Sequence, residues 1–463
     1  MRSGDKKRPR GGRPAQRLLR RLTISVSTIA ILCSSIQAAQ AQSLALLQDT
    51  ETERALKSYE DPLAKAAGLD PNAIHLYLLN DLSVNAFVAE GQNMFIQSGI
   101  ILYLHSRNEL VGVMAHETGH IRAGHLSRNT KALEKASIPM VASLVLGLAA
   151  MLAGAGDLGM AVMMGGQQVA QAQLVHFTYV QEGTADQIAV KLLNATHQSA
   201  MGMLHVFGRF ADEEAMSAYK IPPFAADHPV GQDRIAYLEH LVDASPYRDV
   251  KDSPGDEHQF EMFQAKLAGY VLPVDEVFHR YPISDTGEPA RYARAMAYMR
   301  KPDMSAALSE IESLIKEEPR NPFFYEVLGQ IYVSMTDTQK GVEAYQKAVD
   351  LLPDAPEIRV ELAAAQLATE RRDLAQPALN NLKQALQQDS ESAGPFAWFQ
   401  EAQAYSELGN EPMANLATAE RYYAIGVLPQ AKIFAARASR SLPKGTPDWQ
   451  RASDIMAASA SAQ

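Results

Sequence analysis

The sequence predicts an α+β chain that is mostly α-helical: helices around a small β-sheet, followed by a solenoid of helix pairs. Three observations predict it. Apolar residues alternate or cluster in strand fashion between residues 74 and 97. A helical stretch with two histidines four residues apart comes next. In the C-terminal part, prolines recur at a spacing of 34. A length of 463 residues suggests about two to four domains, each able to bury a core. With 47% hydrophobic residues the chain is too apolar to be disordered throughout. A lone cysteine excludes a disulfide framework and any Cys-rich zinc module. The net charge of -10 gives no support for nucleic-acid binding, which shows a basic footprint.

The N-terminus reads as a signal peptide over residues 1–41. A Lys/Arg-rich stretch, Arg2 to Arg21, precedes an apolar run from Leu22 to Ile36 and then Ala39-Gln40-Ala41. The run is short for a membrane span, and cleavage is expected after Ala41, with an uncleaved anchor as the alternative. Leu32 is too large for a lipoprotein site at Cys33, and the residues after Arg20-Arg21 fit a twin-arginine signal poorly. Removing this basic segment leaves a more acidic chain without cysteine, which suits an oxidising compartment. The expected location is a bacterial periplasm.

Residues 42–250 form the first expected domain. A helix over 50–68 opens it, with Asp49 or Thr50 as cap. Ile74 to Leu78, Ala86 to Val88 and Asn93 to Ile96 read as about three strands of a small antiparallel sheet, with turns at Glu90-Gly91 and Ser98-Gly99. A helix is expected from about Arg107 to Arg128, and another from about Gln167 to Asn194. Between them, residues 137–156 carry no charge, and 158–166 are again apolar and Gly-rich. Length alone allows a membrane span. Richness in Ala, Gly and Met, with Asp157 near the middle, favours a hairpin over 137–166 within the protein body or at a membrane surface.

Residues 251–285 are rich in Pro, Asp and Gly and read as a connector, 286–450 as repeats, and 451–463 as a tail. Pro319 recurs at Pro353, and Pro322 at Pro356, each 34 residues on. Leu328-Gly329, Tyr332, Ala344-Tyr345 and Ala348 lie between them in the order of a tetratricopeptide repeat. Ala307-Leu308 and Trp398, Ala402, Tyr405, Leu408 belong to flanking, degenerate repeats, about four in all. Each helix pair cannot bury its apolar stripe alone, so neighbours stack and leave a concave groove.

The chemistry-bearing motif is His116-Glu117-Thr118-Gly119-His120. Positions i and i+4 share a helical face, so His116 and His120 can bind one Zn²⁺ together. Glu117, beside the first ligand, can reach an attacking water. A catalytic zinc needs a third protein ligand, and Glu182 in Glu182-Gly183-Thr184-Ala185-Asp186 is the best candidate. Asp186 shares its face and can orient a ligating histidine from behind. His125, His176 and His205 read as structural or surface residues.

Together, HETGH, an apolar insertion and ExxAD, preceded by Asn85-Ala86-Phe87, resemble the gluzincin family of the heat-shock membrane protease and the CAAX prenyl protease. With the signal peptide and C-terminal tetratricopeptide array, the chain is most similar to the periplasmic branch. The resemblance covers about residues 50–245 closely and the repeats by architecture only. It implies a gluzincin-type fold, one Zn²⁺ on His116, His120 and Glu182, Glu117 as general base and Asp186 behind the ligands. Asp227-His228-Pro229 with Arg234 also matches a family-type His-Pro followed by Arg. His228 or Arg234 would stabilise the oxyanion, or His228 would take the fourth metal position and hold the enzyme latent.

The resemblance further implies a zinc metalloendopeptidase acting on unfolded or stalled outer-membrane β-barrel proteins. It implies the β-barrel assembly machinery as a partner through the repeats, and a chaperone activity beside proteolysis. The alternative reading is a non-proteolytic chaperone or adaptor that works through the repeats with its zinc site closed.

Overall fold

The computed structural model describes residues 46–89, 91–125, 178–216, 224 and 227–461. The segment expected to be a signal peptide ending at Ala41, the segment 137–166 expected to form an apolar hairpin, and His176 lie outside them. Among the described residues no helix is long and apolar enough to cross a membrane.

Helix α1 (Thr50–Ala66) begins where the Asp49 carboxylate accepts from the Thr52 N–H, and its Leu56, Tyr59 and Leu63 face the core. Three strands follow: β1 (His75–Leu79), β2 (Ala86–Ala89) and β3 (Asn93–Gln97). The sheet order is β1-β3-β2. It is mixed, not antiparallel as expected: β1 pairs parallel with β3, and only β2 pairs antiparallel with it. The reason lies in the connections. The tight turn at Gly91, with φ at +86°, folds β3 back on β2, whereas residues 80–85 carry the chain across before β2 begins.

Helix α2 (Ser98–Tyr103) leads to α3 (Arg107–Ala123). The Ser106 hydroxyl caps α3, and Gly124 ends it in the left-handed conformation, five residues short of the expected Arg128. Helix α4 spans 178–195, and α5 (Met201–Met216) and α6 (Gln232–Asp243) complete the layer. One core joins these elements through Met94, Ile96, Leu110, Met114, Leu193, Met203, Phe207 and Phe210.

The expected connector is helical. Helix α7 (Pro254–Val271) is capped by Ser253 with Pro254 at its first position, and α8 (Val274–Arg280) follows. Phe260, Phe263 and Leu267 of α7 enter the first core, while Met262 enters the core of the first repeat. Most of the Pro, Asp and Gly of this stretch are helix-start and turn residues rather than marks of a linker, Gly269 lies inside α7 against the Ala293 backbone, and the apolar spacing is helical.

Five helix pairs follow. They are α9 (Glu288–Arg300) with α10 (Met304–Glu317), α11 (Pro322–Ser334) with α12 (Thr338–Leu351), and α13 (Pro356–Ala368) with α14 (Ala375–Gln388). The last two are α15 (Ser390–Glu407) with α16 (Glu411–Ala424), and α17 (Leu428–Ser441) with α18 (Pro447–Ser461). The array therefore exceeds the expected count by one pair. The expected tail belongs to α18, whose Ala452 and Ile455 pack on Ala431 and Ala435 of α17. Gly329 shows why the repeat requires a small residue: a Cβ there would lie 2.9 Å from the Tyr345 ring.

Candidate metal centre and active site

Three elements bring the predicted residues together. Helix α3 supplies His116, Glu117 and His120, helix α4 supplies Glu182 and Asp186, and the segment before α6 supplies His228, with Arg234 in α6 itself. All seven are buried. The two ligand helices touch because Gly119 faces Ala185; a Cβ on Gly119 would stand 2.7 Å from the Ala185 carbonyl oxygen.

One ligand atom each from His116, His120, Glu182 and His228 lies within 4.8 Å of the other three. His116 Nε2 is 3.0 Å from His120 Nε2 and 3.2 Å from Glu182 Oε2. His120 Nε2 is 3.4 Å from Glu182 Oε1. His228 Nδ1 is 3.1 Å from Glu182 Oε2 and 3.3 Å from His116 Nε2. Two imidazoles and a carboxylate with a further imidazole match the donor chemistry of a transition-metal site.

The electrostatics set the two imidazoles of α3 apart. Burial pushes His120 down to about 3, so its ring is neutral and its lone pair is available. Burial also opposes charge on His116, but the Asp186 and Glu182 carboxylates beside it outweigh that and lift the ring to about 9. Burial likewise opposes the Glu182 carboxylate, yet the surrounding histidines hold it well below the usual range. A fixed anion among nitrogen donors is an environment that a cation completes.

Behind the ligands, Asp186 Oδ1 lies 3.0 Å from His116 Nδ1, which leaves Nε2 facing the cluster. Arg234 Nε and Nη2 grip the same carboxylate at 2.6 and 2.8 Å. Its Nη1 lies 3.0 Å from Glu182 Oε2 and donates to the Pro229 carbonyl at 3.0 Å. Through these contacts Arg234 is held against the carboxylates of Asp186 and Glu182. His228 is stacked on Phe224, ring centroids 4.6 Å apart, and its Nε2 is 3.6 Å from Glu117 Oε1. It therefore sits between the ligand atoms and Glu117.

Glu117 is fully buried, and neither carboxyl oxygen has a hydrogen-bond partner among the described residues. Burial raises its carboxyl. An unsatisfied carboxyl beside a nest of ligand atoms is the arrangement a general base needs before its substrates arrive.

Two contributors escaped the sequence reading. His125, expected to be structural or surface, is buried with Nδ1 3.0 Å from His120 Nδ1, on the side away from Glu182. It follows Gly124, whose left-handed conformation breaks the periodicity of α3. Glu60 of α1 is fully buried against the back of α3, its oxygens 2.8 and 3.0 Å from Thr118 Oγ1. The signal for it was an acid at a core-facing position of α1.

Fold and site together define a metallopeptidase domain joined to helical repeats. The model of peptidase family M48 matches residues 50–242, and that of the tetratricopeptide repeat matches residues 324–354. The chain thus carries a peptidase family M48 domain followed by tetratricopeptide repeats. It is similar to the beta-barrel assembly-enhancing protease of Escherichia coli, 23% identical over 87% of this chain and 81% of that one. It is also similar to the putative beta-barrel assembly-enhancing protease of Vibrio cholerae, 28% identical over 55% of this chain and 53% of the relative. Among solved structures MamA overlaps 36% of this chain and 92% of its own at 17% identity, with a TM-score of 0.28.

Proposed function

We propose that this protein is a zinc-dependent endopeptidase of the periplasm. It hydrolyses unfolded or misassembled polypeptides in outer-membrane β-barrel assembly and quality control. The observation that carries the reading is the convergence of His116, His120, Glu182 and His228 beside the unpartnered Glu117. The β-barrel context rests on the names of the similar proteins, and export rests on the N-terminal segment. The partners that follow are stalled outer-membrane proteins as substrates and the β-barrel assembly machinery at the repeats.

His116, His120 and Glu182 would hold the Zn²⁺, which supplies Lewis-acid polarisation of the scissile carbonyl and acidifies water. Glu117 takes the proton of the attacking water and delivers it to the leaving amine. Its buried, raised carboxyl suits both halves of that transfer. Asp186 and Arg234 hold His116 and Glu182 in place. Substrate backbone pairs along β2, one of the two edge strands; β3 is central and has no free edge. Edge pairing selects extended segments and rejects folded ones.

His228 favours a second state. Seated against Glu182 and His116, it fills the remaining donor position and keeps the resting enzyme latent until it is displaced. A non-proteolytic chaperone with a permanently closed site is the competing reading, and the same seat favours it.

One experiment separates them. Residues 42–463 are purified, bound metal is counted, and casein cleavage is followed beside Glu117→Gln and His228→Ala. One zinc per chain is expected, with cleavage reduced about 10²- to 10⁴-fold in Glu117→Gln and raised in His228→Ala. Zinc without cleavage in wild type or His228→Ala would leave the chaperone reading standing.

A further inference from the structure

Away from the metal centre, the start of α1, the C-terminal part of α7 and the first helices of four repeats enclose a cavity of about 240 Å³. Asp49, Lys266, Glu326, Glu357, Glu361 and Phe396 are among the residues that line it. Four carboxyl groups thus share one cation. That cation is already engaged: Lys266 Nζ lies 2.5 Å from Asp49, 3.4 Å from Glu326 and 3.5 Å from Glu51. Glu357 accepts from the Thr50 hydroxyl at 3.4 Å. Glu361 takes the Gln330 amide on Oε1 at 3.2 Å, while its Oε2 is buried with no hydrogen-bond partner among the described residues.

We infer that this cavity is a binding site for a basic side chain, arginine or lysine, presented by an extended polypeptide, with Glu361 as its anchor. Three features select that ligand. Apolar residues share the lining with the acids, and Phe396 and Tyr270 among them are half exposed, so the site offers an aliphatic stem a path in and a charged head a carboxylate. Among the described residues these carboxylates do not converge as a metal-ligand set; the groups that do lie elsewhere. Glu326, Glu361 and Phe396 stand on α11, α13 and α15, the first helices of successive repeats, so the site opens along a repeat face rather than into a closed core. Burial lifts Glu326 to about 7 and Glu361 well above the usual range, so an arriving cation is what would stabilise their ionised forms. The site is independent of the proteolytic chemistry.

The test uses the purified protein carrying Glu117→Gln, so that no probe is cleaved. A fluorescein-labelled, unstructured peptide with one central arginine is compared by anisotropy with the same peptide carrying citrulline, its neutral isostere. The arginine peptide should bind about tenfold more tightly, the effect of one charge-assisted contact. Glu361→Gln should erase that preference and leave the citrulline peptide unchanged, with an unaltered circular dichroism spectrum. Glu357→Gln serves as the second variant and should weaken the preference. Equal binding of the two peptides, no binding of either at millimolar concentration, or a preference that survives Glu361→Gln would each overturn the proposal. Displacement by free argininamide as effective as by the arginine peptide would also overturn it, in favour of a small-molecule cation site.

Discussion

Asp186 lies behind the proposed metal position and would fix which face of His116 meets it. Its carboxylate lies 3.0 Å from Nδ1 and is itself clamped by Arg234. Asp186→Asn keeps the shape but halves the acceptor capacity for that clamp. Zinc affinity should fall about 10- to 100-fold, read by competition with a chromogenic chelator; unchanged affinity would remove Asp186 from the site. Glu60 carries a pH prediction. The Thr118 hydroxyl is 2.7 Å from the Met114 carbonyl and has one proton, so Glu60 is served poorly as an anion. Burial raises its carboxyl from 4.5 to about 8. Between those values the folded state keeps a proton that the unfolded chain has lost. Stability from this group is therefore complete below about pH 4.5 and is lost as the pH rises through 8. Glu60→Gln does not titrate, so its melting temperature should gain on wild type between pH 5 and pH 9. A constant difference across that range would contradict the raised carboxyl.

At the scale of elements, the site is a crossing of two helices. Helical spacing puts His116 with His120, and Glu182 with Asp186, on single faces. The crossing distance is set by Gly119 against the Ala185 backbone. Gly119→Ala should separate α3 from α4 by several tenths of an ångström. We expect zinc binding to weaken more than helicity, measured by metal titration and far-ultraviolet circular dichroism on one sample. Loss of both in proportion would mean that the substitution simply unfolds the domain. The sheet teaches a related lesson. Alternation marked β1, β2 and β3, but alternation is blind to direction, and the parallel β1–β3 pair follows from how residues 80–85 cross the sheet.

For the molecule as a whole, Lys266 is the tie between its two halves. From α7 it binds acids at the start of α1 and on α11 of the second repeat, and Tyr292 of the first repeat donates to Glu51 at 2.8 Å. Burial opposes the lysine's charge, but Asp49 and Glu326 outweigh it and hold the ammonium well above its ordinary value. Lys266→Met would strand these carboxylates, at a cost of about 3–5 kcal/mol where they remain ionised. Glu51 and Glu326, each already raised to about 7 by burial, can instead take up protons at low pH. The variant should therefore be close to wild type in urea unfolding at pH 5.5 and clearly weaker at pH 8. Equal loss at both would mean that the lysine acts by packing alone.

The sequence by itself determined the local matters. The ligand motifs, the helix that carries them, the cap at Asp49 and the 34-residue repeat all follow from periodicities that neighbouring residues impose on one another. Tertiary structure alone decided what depends on distant partners. Arg234 became a clamp because α6 runs past Asp186, and His125 and Glu60 joined the site because the chain brings them behind α3. The stretch read as a connector became the shared wall α7 because two cores needed its faces. Burial is a property of the assembled fold, and with it come the perturbed carboxyls and the absence of hydrogen-bond partners for Glu117 among the described residues, on which the proposed chemistry rests.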